Sequence, residues 1–216
     1  MMLPPMPPPM PQAFTLYPFV PNCSVDSGDV DQGNAAINAA SHGLTDQSLQ
    51  EHCRVDLQLT GSLTRSGPDL TLCYCLSGSV DTVIMAPGVE HPQRQDNLWQ
   101  ETCFEWFLGI PEVDRYWEFN LSPAGHWNVY RFDRYRAGMQ PETAVRGLPM
   151  QVQQQSDGVL LQVAVNLAAI GLAEQGLEVG ITAVICRRGN ELSYWALTHP
   201  GSEADFHRRD SFVMRV

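Results

Sequence analysis

The chain has 216 residues, with 24 acidic against 13 basic side chains and a formal charge of −11. That length suits one domain of ordinary to large size, and the acidic balance argues against phosphate-driven nucleic-acid binding and against anionic membranes. Lysine is absent, so every one of the 13 basic residues is arginine; no functional account of this follows from the sequence.

Residues 1–12, MMLPPMPPPMPQ, are rich in proline and methionine and read as a disordered or polyproline-like arm. They lack the basic and apolar regions of a signal peptide, and no stretch approaches the roughly 20 apolar residues of a membrane span. A cytoplasmic protein is expected. Residues 13–216 are expected to form a single domain. Ala13–Pro18 alternates as a first strand. Residues 22–50 are small and polar and read as a long flexible surface loop, with a short helix near Asn34–Ala40.

Strand signals then recur at Arg54–Thr60, Asp69–Ser77, Val80–Ala86, Glu101–Leu108, Tyr116–Ser122 and Trp127–Phe132. Met150–Gln155 and Val159–Leu167 flank a hairpin turn at Ser156-Asp157-Gly158. A helical turn fits Leu167–Leu172. Val179–Arg187 and Leu192–Ala196 form another hairpin across Gly189-Asn190, and Ser211–Val216 closes the set. About ten short strands with brief turns predict an all-β chain, a β-sandwich of two antiparallel sheets rather than a barrel. The six cysteines contain no C-x-x-C pair and read as free thiols in a reducing compartment.

The segment Leu98–Gly138 carries Trp99, Trp106, Trp117 and Trp127, interleaved with Glu101, Glu105, Glu118, Arg131, Arg134 and Arg136. Rings, carboxylates and guanidiniums at strand spacing suit binding of a flat polar molecule. With Gly109–Asp114 as the turn, Glu105 falls opposite Glu118, Phe107 opposite Tyr116 and Cys103 opposite Asn120. Across Ser122-Pro123-Ala124-Gly125, Glu118 meets Tyr130 and Asn120 meets Asn128. One face then holds Phe104, Trp106, Leu108, Trp117, Phe119, Leu121, Trp127 and Val129 and forms the core. The other holds Glu105, Glu118, Asn120, Asn128 and Tyr130, with Phe107, Tyr116 and Phe132 at one end. Opposed glutamates repel, so the pair needs an arginine, a metal, a shared proton or a polar ligand. Two readings follow: a buried Glu–Arg network that fixes the fold, or carboxylates that accept hydrogen bonds from ligand hydroxyls.

Near the C-terminus, His199, Asp205 and His207 could approach a metal, but their spacing matches no standard zinc pattern; hydrogen bonding is the simpler role. Paired carboxyls also serve glycoside hydrolysis, yet nothing else marks a catalytic cleft. No G-x-S-x-G, P-loop, dinucleotide or H-E-x-x-H motif occurs. A non-enzyme is expected.

LWQETCFEWFLG, YWEFNLSPAGHWNVYRFDRYRAGM and YWALTHPGSEADFHRRDSF resemble DOMON-like proteins related to family-9 carbohydrate-binding modules, over most of the chain from about Ala13. The resemblance implies two face-to-face antiparallel sheets and a saccharide ligand. It implies a sugar clamped between two tryptophans, here Trp99 and Trp195, with Glu105, Glu118 and Asn120 bonding its hydroxyls. It implies no obligatory cofactor, although calcium occurs in family-9 relatives. The kinship, with spare histidines and methionines, also offers a haem-binding redox module; the proline arm and the acidic surface offer an interaction protein whose ancestral pocket is filled.

Overall fold

The computed structural model describes residues 9–21 and 57–216. Most of the proline arm, the 22–50 loop with its expected helix, the start of the second expected strand, Cys23 and Cys53 lie outside the described residues.

Among the described residues twelve strands form: β1 (Gln12–Pro18), β2 (Leu57–Ser66), β3 (Asp69–Gly78), β4 (Cys103–Gly109), β5 (Tyr116–Leu121), β6 (Trp127–Phe132), β7 (Gln140–Pro141), β8 (Met150–Gln155), β9 (Gly158–Asn166), β10 (Glu178–Arg187), β11 (Glu191–Ala196) and β12 (Met214–Arg215). All strand pairs are antiparallel, in the order β7-β6-β5-β4-β10-β11-β1-β2-β3-β9-β8, with β12 on β10. β1 belongs to both halves. Its residues Gln12–Leu16 pair with β2, whereas Tyr17 and Pro18 pair with Ala196 and Trp195 of β11. The chain therefore passes from one sheet to the other within a single strand, and the two sheets close face to face as a β-sandwich.

The core between them takes Leu59, Leu72, Tyr74, Leu76, Leu161 and Val163 from one sheet. From the other it takes Phe104, Trp106, Leu108, Trp117, Phe119, Leu121, Trp127, Val129, Ile181 and Ile185. Trp106 and Phe119 stack with centroids 4.3 Å apart. β3 and β9 alternate buried and less buried residues, as strands with one solvated face do. β4, β5 and nearly all of β10 are buried on both faces. The turn carrying Trp99 and the loop from Phe206 to Phe212 cover part of the outer face of the second sheet: Trp99, Phe206 and Phe212 pack there with Phe107, Tyr116, Tyr130 and Phe132.

Three strand expectations change. Val80–Ala86 is not a strand: Val80–Thr82 is a 3-10 turn, and only Val83 bridges, to Arg187. Thr82 Oγ1 donates to the Ser79 carbonyl at 2.7 Å, a local bond that competes with a ladder. Ser211–Val216 shrinks to β12, because Ser211 Oγ donates to the Arg208 carbonyl at 2.6 Å and closes a turn over Arg209–Ser211. β7 was not expected; its two residues pair with Tyr130 and Arg131.

The register of β4 on β5 is also corrected. β4 runs one residue further, to Gly109, which pairs with Tyr116, so Glu105 lies opposite Asn120 and Phe107 opposite Glu118. The slip is two residues, hence every side chain keeps its expected face. The β5–β6 register matches the expectation, with Glu118 opposite Tyr130 and Asn120 opposite Asn128.

Candidate functional site

Residues directly opposite in adjacent strands share a face, so the corrected register defines a polar row. Thr182 of β10, Glu105 of β4, Asn120 of β5 and Asn128 of β6 lie side by side on the outer face. All four are buried; Glu105 is 3% exposed. The Glu105 Oε1 and Thr182 Oγ1 atoms have no hydrogen-bond partner. Glu118, 5% exposed, faces the same side and accepts from Asn120 Nδ2 at 2.7 Å. Uncompensated buried polar atoms are costly and rare in folded proteins, and two on neighbouring strands mark this spot.

An open cleft of about 460 Å³ lies over Glu105 and Glu118. Its walls include Trp99, Tyr194, Phe206, Phe132 and Met139, and its polar lining adds Gln100, Arg136 and His207. Volume, aromatic walls and a few convergent polar groups are the ordinary makings of a small-molecule site.

Each wall is held from beneath. Trp99 sits on a 3-10 turn, Leu98–Gln100, entered through Asn97 at φ 63°. Its ring meets Tyr130 edge-on, with centroids 5.8 Å apart. Tyr130 donates to Asp96 Oδ1 at 2.6 Å, and Asn128 Nδ2 donates to the same oxygen at 2.9 Å. The Arg94 guanidinium completes this support by donating to Asn128 Oδ1 at 2.6 Å. On the other side, Arg136 has φ 50°, a left-handed conformation that non-glycine residues seldom adopt. There its N–H donates to the Tyr116 hydroxyl at 3.2 Å. Its side chain donates to Asp205 at 2.7 Å, which also accepts from the Tyr135 hydroxyl at 2.5 Å.

Tyr116 and His207 Nδ1 are 2.7 Å apart. With the tyrosine as donor, the proton of the neutral ring is on Nε2, which lies 3.8 Å from Glu118 Oε2. Burial pushes the His207 pKa down to about 4, with the Arg136 charge adding to the effect. The carboxyls move the other way. Burial raises both, and the Glu118 charge raises Glu105 further, while the Asn120 hydrogen bond partly restrains Glu118. The cleft thus presents carboxyls that hold protons well above the usual carboxylate range beside a histidine that refuses one.

Of the five residues expected to bind ligand, Trp99, Glu105 and Glu118 line the cleft, and Asn120 lies beside them, bonded to Glu118. Trp195 does not. It is 2% exposed, lies in the inter-sheet core and donates its indole N–H to Ser193 Oγ at 3.0 Å. It pairs with Ala183, which pairs with core-facing Phe104, so parity sends it inward and sends Tyr194 to the cleft. Trp99 and Trp195 are therefore on opposite faces of one sheet and cannot clamp a common ring. Of the arginines, Arg136 lines the cleft, whereas Arg131 bonds Gln140.

The suggested metal ligands are separately engaged. His199 Nε2 contacts the Tyr17 carbonyl at 2.8 Å, and Asp205 and His207 are held as above. Among the described residues no group of three or more His, Cys, Asp or Glu side chains is arranged to hold a metal ion. Cys73, Cys75, Cys103 and Cys186 are free thiols. No described helix is long and apolar enough to cross a membrane.

No protein-family model matches the sequence, and no curated protein does. Solved structures do share its fold. A Bacteroides uniformis protein, provisionally assigned as carbohydrate-binding, superposes with a TM-score of 0.55 at 11% identity, covering 72% of this chain and 76% of its own. A family-9 carbohydrate-binding module of Caldicellulosiruptor kristjanssonii in complex with cellotriose gives a TM-score of 0.43 at 8% identity, covering 67% of each chain. A glucose complex of a family-9 module from that organism gives 0.42 at 10% identity, covering 76% of this chain and 82% of the other.

Proposed function

We propose that the chain is a non-catalytic sugar-binding β-sandwich whose site is the outer-face cleft. The observation that carries this reading is an open cleft floored by buried carboxyls, one with an unpartnered oxygen, and walled by Trp99, Tyr194 and Phe206. Sugar rings have apolar faces and polar rims. The aromatic walls would cover the faces, and Glu105, Glu118, Arg136 and His207 would bond the rim hydroxyls. In place of two clamping tryptophans, Trp99 and Tyr194 act as the platforms. Tyr194 is 39% exposed, as a platform must be.

Hydrolysis is not part of the proposal. Asn120 bonds Glu118, and no feature of the cleft beyond the carboxyl pair points to bond cleavage. A pocket filled by its own side chains fits poorly with a cleft of about 460 Å³. The haem alternative would draw on His207 and Met139, which share the cleft; protein that stays colourless with added haem removes it.

Calorimetric titration with a panel of mono- and oligosaccharides, including glucose and cellotriose, tests the proposal. Saturable binding that Tyr194→Ala weakens at unchanged melting temperature is expected. Absence of binding across the panel, or binding indifferent to both Tyr194→Ala and Trp99→Ala, overturns it.

A further inference from the structure

We infer that the ligand of this cleft carries a protonated amine, for which the Glu105–Glu118 pair is the counter-charge. This rests on the sugar reading and narrows it to amino sugars.

The cleft has two acidic side chains in its floor and one arginine in its lining. Arg136 is already committed: its guanidinium bonds Asp205 at 2.7 Å. His207 is partly buried and its Nδ1 lies 2.7 Å from the Tyr116 hydroxyl; desolvation opposes its protonation, so it brings no charge at neutral pH. Asn120, opposite Glu105 on the neighbouring strand, donates to Glu118. Glu105 Oε1 is left with nothing, and Thr182, its neighbour across β10, has an equally unpartnered hydroxyl. The Arg136 charge reaches Glu118 but is shared with Asp205, and no positive charge offsets Glu105, so the Glu105–Thr182 end of the floor is short of both a donor and a counter-charge. A sugar hydroxyl supplies a donor only. An ammonium supplies three donors and the missing charge. The walls are compatible with the same group, since aromatic rings such as those of Trp99 and Tyr194 attract cations placed over their faces.

Binding of such a cation carries a proton signature. Without ligand, burial and mutual repulsion keep the carboxyls protonated to unusually high pH. An arriving ammonium stabilises the ionised pair, so a carboxyl proton leaves to the buffer. The other groups facing the pair do not take it up. Cys103 on the same strand and Tyr74, whose hydroxyl donates to the Glu105 carbonyl at 2.5 Å, are themselves held protonated by burial. The Tyr116 and Tyr130 hydroxyls are likewise raised, and Arg136 stays charged beside Asp205. His207 is the one base, and its burial opposes protonation.

The test is calorimetry at pH 7 with glucosamine, glucose, N-acetylglucosamine and cyclohexylamine, each in two buffers of different ionisation enthalpy. Glucosamine is expected to bind about tenfold or more tightly than glucose and N-acetylglucosamine, with release of protons. Glu105→Gln, and independently Glu118→Gln, should abolish that preference while the circular dichroism spectrum stays that of the parent. Glucose or N-acetylglucosamine binding as tightly as glucosamine overturns the amine inference and leaves the sugar reading standing. Cyclohexylamine binding without any sugar does the reverse. No binding by any of the four probes overturns the amine inference, while the sugar reading stands or falls on the wider saccharide panel.

Discussion

The two faces of the β4–β5–β6 meander are built from the same strands and do opposite things. The inner face is nearly all hydrocarbon: Phe104, Trp106, Leu108, Trp117, Phe119 and Leu121 interlock with the second sheet, and among the described residues its one unpartnered polar atom is the Trp106 indole nitrogen. The outer face is equally buried along much of its length but polar, with Glu105, Glu118, Asn120 and Asn128 beneath loops. Close packing maximises stability on the first. The second keeps buried polar atoms unpartnered, which costs stability and is tolerated where a ligand is served.

The sharpest way to break this comparison is to swap the fates of two tryptophans. Trp195→Ala opens a cavity in the core and should cost about 3–5 kcal/mol, read as a large fall in the denaturant midpoint. If it leaves stability intact and alters only ligand response, the faces have been confused.

A smaller effect is expected at His207. Its folded pKa of about 4 lies below the ordinary 6.5, so the unfolded chain binds the proton first as pH falls. Stability from this group is present above pH 6.5 and is lost towards pH 4, on the order of 2–3 kcal/mol. The raised carboxyls act oppositely over part of that window, so the measurement is the difference between the pH profiles of the parent and His207→Gln. The variant should lose less stability on acidification; parallel profiles would show that His207 is not held neutral.

Glu105→Gln sharpens the comparison from the other side. The folded pKa of Glu105 is raised above its ordinary 4.5, so the unfolded chain sheds the proton first as pH rises, and folding loses stability above that value. The uncharged variant escapes the loss. Its gain over the parent should grow as the pH rises above 4.5; a gain that shrinks with pH would mean the carboxylate is stabilised in place.

Much of this contrast is legible in the sequence. Period-2 alternation in CFEWFLG, YWEFNL and WNVYRF assigned each residue its face, and a two-residue error in register could not disturb that. Trp195 was misplaced for lack of the same argument. The hairpin across Gly189-Asn190 pairs Ala183 with Trp195, and Ala183 alternates with Ile181 and Ile185 on the core side. Parity alone exposes Tyr194 and buries Trp195; the resemblance to family-9 modules pointed to the tryptophan instead. Phe206, Arg136 and His207 were harder, because loops without periodicity deliver them through local bonds such as Asp205 to the His207 N–H at 3.1 Å. The turns at Val80–Thr82 and Arg209–Ser211 were lost to side-chain-to-backbone bonds that strand propensity ignores.

The smallest structural effect belongs to the most direct test. Trp99→Ala removes a half-buried ring whose main contact is the edge of Tyr130, so its stability cost should stay near 1 kcal/mol. Intrinsic tryptophan fluorescence is then followed during titration of parent and variant with glucose, glucosamine and cellotriose. The account predicts a saturable change in the parent that is abolished in Trp99→Ala while the fold is retained. A saturable change of parental affinity in Trp99→Ala would place the site elsewhere and contradict the account.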